Sequence, residues 1–126
     1  MSNLEVIAQM RIRPGEMEGF RRQAAEMVRL TCELDTGTLR YDWYVDEEAM
    51  ACEVHELYVD ESGMVEHNRH VMEAREQLFR DHASDHRMSI YGPITPHLTE
   101  LFAKHAGGVA AFSLLQGLDV PAVAPR

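Results

Sequence analysis

An α+β fold of the ferredoxin-like kind, β-α-β-β-α-β with an antiparallel sheet, is predicted by three observations. The chain opens on a run with a period of two. Two more β-rich runs, 37–46 and 50–60, follow each other around the acidic turn Asp46-Glu47-Glu48, as in a hairpin. Stretches with helical spacing occupy 17–34 and the region after Glu61, and a last β-rich run follows.

The first strand rests on Leu4, Val6, Ala8, Met10 and Ile12, which alternate with Glu5, Ile7, Gln9 and Arg11. Pro14-Gly15 ends it, and Pro14, lacking an amide to satisfy, suits a helix start. In the first helix Phe20, Ala24, Met27, Val28, Leu30 and Leu34 recur at three- and four-residue spacing, and Arg21, Arg22, Glu26 and Arg29 fill the opposite side. Gly37 supplies the turn into a second strand whose Leu39, Tyr41, Trp43 and Val45 share a face. In the third strand Cys52, Val54, Glu56 and Tyr58 oppose Glu53, His55, Leu57 and Val59. A second helix is expected from Glu61 to about His86, with Asn68 a candidate break and Val71, Ala74, Leu78 and Phe79 as its apolar stripe. The fourth strand is expected at Met88–Thr95, between the helix and Pro96.

Residues 1–106 form one expected domain, and 107–126 an apolar tail. Pro96–His105 fits a short helix, Gly107-Gly108 breaks it, and Val109–Leu118 is apolar enough to need a surface, such as a partner subunit. The Pro-Ala-Val-Ala-Pro-Arg end is expected to fray. Two helices on one face of a four-stranded sheet leave the other face bare, and homodimerisation would cover it.

A chain of 126 residues supports one core. A formal charge of −9 with interspersed arginines argues against nucleic acid, whose phosphates need clustered cations. Cys32 and Cys52 form no CxxC pair and read as small buried residues. Neither a signal peptide nor a membrane span is apparent, so a cytoplasmic protein is expected.

The stretch from Asp35 to His70 carries the chemistry-bearing residues. Glu56, late in a strand, and His67, early in a helix, can meet at the seam between them. A neutral imidazole suits proton transfer near pH 7, and a carboxylate can fix its tautomer. Tyr41, Trp43 and Tyr58 are candidates to line a slot for a flat ring, with His70 a candidate second pocket residue. The competing reading is a buried pair that satisfies itself and a set of core aromatics. His67-x-x-His70 and His82-x-x-x-His86 have chelating spacings on a helix, but a catalytic zinc usually needs three protein ligands, and no metal is expected. His55 points away from Glu56, and His97 and His105 carry no signal. Arg40 lies opposite Tyr41 and Trp43, so nothing favours a phosphorylated substrate.

The run Asp35-Thr-Gly-Thr-Leu-Arg-Tyr-Asp-Trp-Tyr-Val-Asp46 resembles the second strand of the antibiotic biosynthesis monooxygenase (ABM) domain family. Glu56-x-Tyr58-x-Asp60 with His67 and His70 resembles its third strand and second helix. The resemblance implies a dimeric α/β barrel, two ferredoxin-like sheets packed face to face. It also implies a quinol-monooxygenase-like enzyme that oxidises a phenolic or quinol substrate with O2 and uses no cofactor. Haem degradation is disfavoured, because the third strand carries Tyr58 and the only Trp is Trp43 on the second. The alternatives on this fold are a non-oxidative isomerase or a small-ligand-binding protein.

Overall fold

The structure, a computed structural model, describes residues 3–103, 105 and 107–118. Its elements are β1 (Leu4–Ile12), α1 (Met17–Leu34), β2 (Thr38–Asp46), β3 (Ala51–Tyr58), α2 (Glu61–Asp81), β4 (Ala83–Tyr91), α3 (Pro96–Phe102) and β5 (Val109–Phe112). The expected β-α-β-β-α-β order is present, and β5 adds a fifth strand. The sheet runs β2-β3-β1-β4-β5, antiparallel except for the parallel β4–β5 pair.

Alternation in β1 drives the packing. Leu4, Val6, Ala8, Met10 and Ile12 are all buried, and face α1 and α2 together with Cys52, Val54 and Tyr58 of β3. Phe20 and Met27 of α1 and Met64, Val71 and Leu78 of α2 close the core from above. Burial of each large side chain contributes roughly 1.5–3 kcal/mol. The helix α2 is continuous through Asn68, and Asp60 caps it by accepting the Gly63 amide at 3.0 Å.

Gly37 and Gly63 fix the height of α2 over the α1–β2 turn. A Cβ on Gly63 would fall 2.7 Å from the Gly37 carbonyl oxygen, so only glycine permits this approach. The contact brings Asp35, just before Gly37, beneath the first turns of α2.

Three features of the second half differ from those expected, where β4 spans Ala83–Tyr91 and not Met88–Thr95. The helix α2 ends at Asp81, not near His86, because Ala83–Arg87 is drawn into the sheet beside β1. In β4 the register slips: Gln9 faces Arg87 but Arg11 faces Ser84, so Asp85 and His86 together oppose Met10. This is a β-bulge, and Asp85 adopts a left-handed φ of 55° to make it. The bulge allows Ala83, His86, Met88 and Ile90 to turn toward the helices. The third difference is that α3 stops at Phe102. A second irregularity, at Leu39 in β2, leaves that side chain exposed instead of on the shared face with Tyr41.

Cys52 is buried as expected, whereas Cys32 is exposed. Residues 119–126, including the end expected to fray, lie outside the described residues. No helix among the described residues is long and apolar enough to cross a membrane.

Candidate active site

Between the sheet and the helices lies a cavity of about 30 Å³, walled by Tyr41, Trp43, Glu56, His67, Arg75 and Met88 among others. It has room for one or two molecules the size of water or O2. Asn68, Arg75, Phe79, His86, Met88 and Phe102 line both this chamber and a groove of about 1130 Å³, so the chamber is the deep end of a larger site.

His67 is buried, and its Nδ1 lies 2.7 Å from Asp35 Oδ2. His70 Nδ1 lies 2.6 Å from Asp35 Oδ1, and the Thr38 hydroxyl donates to Asp35 Oδ2 at 2.7 Å. The Asp35 side chain is 1% exposed and collects three donors. Burial pushes its carboxyl up, but the hydrogen bonds from His70, Thr38 and His67 together hold it below the usual carboxylate range. For His67 desolvation outweighs the raising effect of Asp35, so the ring sits below its ordinary 6.5 and is neutral at pH 7. With Nδ1–H given to Asp35, Nε2 is the lone-pair nitrogen; among the described residues it has no partner.

The expected Glu56–His67 pairing is corrected. Glu56 accepts a hydrogen bond from the Tyr58 hydroxyl, and the carboxylate that orients His67 is Asp35. Glu56 still faces the chamber with His67. Its burial pushes the carboxyl up to about 7, against the lowering effects of Tyr58 and Arg75. Near neutral pH it is therefore substantially protonated and able to donate. Desolvation also pushes the Tyr41 and Tyr58 phenols up, which keeps both as O–H donors.

Among the proposed ring-lining residues, Tyr41 and Trp43 do line the chamber, with ring centroids 5.8 Å apart and edge to face. The Trp43 indole nitrogen is buried without a hydrogen-bond partner among the described residues. Tyr58 and His70 are not on the wall. Tyr58 is fully buried behind Glu56, and His70 braces Asp35 from the solvent side, its side chain 20% exposed.

Asp35, Glu66 and His70 place one potential ligand atom each within 4.8 Å of one another. Their hydrogen bonds account for the grouping: His70 donates to Asp35, and Glu66 accepts the Thr36 amide at 2.6 Å. His82 and His86 do not share a helix face. His82 pairs with Glu16 at 2.8 Å, while His86 lies on β4. His97 pairs with Glu61.

Sequence reasoning missed Asp35, Arg75, His86 and His105. Asp35 lies only three residues from Thr38, but its reach across 32 positions to His67 depends on the Gly37–Gly63 contact. Arg75 lies two turns beyond His67 on α2, a spacing of eight that places both on one side of the helix. His86 turns inward only through the bulge, which no sequence period announces.

The sequence profile of the antibiotic biosynthesis monooxygenase family matches residues 4–74. This chain belongs to that family. Asp35, Tyr41, Trp43, Glu56 and His67 fall inside the matched ABM span, whereas Arg75, Phe79, His86 and His105 follow it. No curated protein matches the sequence. Among solved structures, MupZ from Pseudomonas fluorescens is similar at 21% identity and a TM-score of 0.84, over 99% of this chain and 100% of that one. Rv0793 from Mycobacterium tuberculosis is similar at 23% identity and a TM-score of 0.63, covering 75% of this chain and 97% of its own. A conserved protein from Methanosarcina mazei Go1 is similar at 21% identity and a TM-score of 0.65, over 72% and 92%. At these identities the likeness is one of fold. The MupZ alignment extends over the C-terminal region as well, so this ABM chain shares its arrangement beyond the matched span.

Proposed function

We propose that the chain is a cofactor-independent monooxygenase that oxidises a quinol or other electron-rich phenolic compound with O2. One observation carries this reading: a neutral imidazole, anchored through Nδ1 by Asp35, at a chamber walled by Tyr41 and Trp43. His67 Nε2 takes the substrate's hydroxyl proton, and the resulting anion is electron-rich enough to reduce O2. For a hydroquinone the products are a hydroxyquinone and water, so the substrate supplies all the electrons. The small chamber suits the reacting hydroxyl and O2, and the wider groove suits the body of the ring system. The test is oxygen uptake with a panel of naphthohydroquinones in the presence of a chelator and no added cofactor. Uptake supports the reading, and its absence across the panel rejects it.

The alternative, a non-oxidative isomerase, is favoured by one specific feature. Glu56, near half-protonated at neutral pH, faces the same chamber as the basic His67. An acid and a base on one cavity can move a proton between two substrate atoms without oxygen. Substrate deuterium exchange in D2O without oxygen uptake would select it.

The working unit is a homodimer formed through the sheet face turned away from the helices. Leu57, Tyr91 and Phe112 lie there beside a hollow of about 600 Å³, bordered by Leu114 and Leu115. Leu114 is 77% and Leu115 98% exposed in the single chain, an arrangement that a second copy would relieve.

A further inference from the structure

The groove leading to the chamber holds a guanidinium that, among the described residues, is hydrogen-bonded to no carboxylate. Arg75 is half-buried where chamber and groove meet, and its one side-chain hydrogen bond among the described residues goes to the neutral Asn68 Oδ1, at 3.0 Å. Its charge is felt at Glu56, His67, His86 and His105. Of the carboxyl groups deep in this region, Asp35 is already taken by His67, His70 and Thr38, and Glu56, near half-protonated at pH 7, accepts from the Tyr58 hydroxyl. A cation left unpaired in a partly dry cleft is costly unless an anion joins it.

Beside Arg75 stands an imidazole pair. His105 Nε2 and His86 Nδ1 are 3.1 Å apart, and the His86 ring stacks on Phe79 with centroids 4.5 Å apart. Burial holds His86 down at about 4 and lowers His105, so both are neutral at pH 7. Two neutral imidazoles have two N–H groups, and one is used between them. If His86 donates, the leftover N–H is His105 Nδ1, which is buried with no partner. If His105 donates, the leftover N–H is His86 Nε2. Either way one donor remains for a ligand.

We propose that Arg75 and the spare N–H of the His86–His105 pair bind a carboxylate carried by the substrate. The substrate is then an aromatic acid, with its hydroxyl in the chamber and its carboxylate at the groove. A carboxylate fits better than a phosphate: the Phe79, Met88 and Phe102 walls are apolar, and one free guanidinium matches one negative charge in a bidentate fork. Arg13, also on the groove, is committed to the Ala83 and Phe79 carbonyls at 2.9 and 2.8 Å. At the outer edge Arg87, Glu76 and Asp85 line the groove in exposed positions.

This inference rests on the groove being the substrate site, not on the oxygenation step. The experiment is calorimetric titration of the full chain with 1-hydroxy-2-naphthoate and with 1-naphthol, a matched pair differing in the carboxylate. Wild type should bind the acid at least about tenfold more tightly, and Arg75→Gln should reduce that preference to about threefold or less. His105→Ala should reduce the preference by a smaller factor. Should Arg75→Gln fail to fold, Arg75→Lys reads the same quantity, since it keeps the charge and loses the fork. Equal affinities in wild type, no binding of either probe at millimolar concentration, or a preference that survives loss of the guanidinium overturns the proposal. No turnover enters this measurement, so a protein without oxygenase activity would still pass it, and an active oxygenase could fail it.

Discussion

Asp35 Oδ2 lies 2.7 Å from His67 Nδ1, and this contact decides which nitrogen of the ring is left for chemistry. Residues 32 apart in sequence meet because the turn at Gly37 presses against Gly63 at the start of α2. A carboxylate on Nδ1 leaves Nε2 as the acceptor, and burial keeps the ring from protonating near pH 7.

Replacing Asp35 by Asn retains the shape and removes the charge that orients His67 and His70. Oxidation of a working substrate should fall about 100-fold or more, as for loss of a positioned general base. Stability should fall by about 1.5–3 kcal/mol, because buried donors lose a charged acceptor. Steady-state rates and denaturant melts check both. An Asp35→Asn protein with wild-type rates would remove Asp35 from the proposed machinery.

Glu56 gives a pH signature of known sign. Its folded value, about 7, lies above the ordinary 4.5, so the folded chain holds this proton more tightly than the unfolded one. Its contribution is fully present below pH 4.5 and is lost as pH rises through 7, about 3 kcal/mol in all. Glu56→Gln should therefore gain stability relative to wild type as pH goes from 5 to 8. A difference independent of pH would mean that Glu56 titrates normally.

At Gly63 a methyl group would meet the Gly37 backbone at 2.7 Å, which no side-chain rotation can relieve. Gly63→Ala should cost about 1–3 kcal/mol and displace Asp35 from His67. Chemical denaturation reads the first effect, and the His67 ring NMR signals read the second. A neutral substitution would show that the turn can retreat at no cost.

Leu115 is 98% exposed beside the outward sheet face. If a second copy covers it, Leu115→Asp should shift the dimer–monomer balance at least tenfold toward monomer in sedimentation equilibrium, with the chain still folded. A dimer unaffected by the charge would place the interface elsewhere.

The fold was legible where pattern and burial coincide. In β1 the alternation of Leu4 to Ile12 alone identifies the core face, and all five of those residues are buried. His67 and Glu56 could be named as chamber residues, since a strand face and a helix stripe have fixed periods. Their partners could not be read. The Asp35–His67 and Glu56–Tyr58 pairings depend on a close glycine contact and on side-chain direction, which lie outside any period. The β4 boundary failed for a related reason. The segment Ala83–Arg87 is charged and weakly alternating, and its pairing with β1 comes from the bulge at Asp85, a tertiary choice that overrides local preference. His86, and with it the pairing to His105, was hidden by that boundary.

Nitrogen-15 NMR of the His67 ring reads the protonation of both ring nitrogens. The ring should be neutral at pH 7 with the proton on Nδ1, an unprotonated Nε2, and a titration midpoint below 6.5 that moves when Asp35 is replaced by Asn. An imidazolium at pH 7, or a neutral ring protonated on Nε2, would contradict it, since neither has a lone pair at Nε2 to accept the substrate's proton.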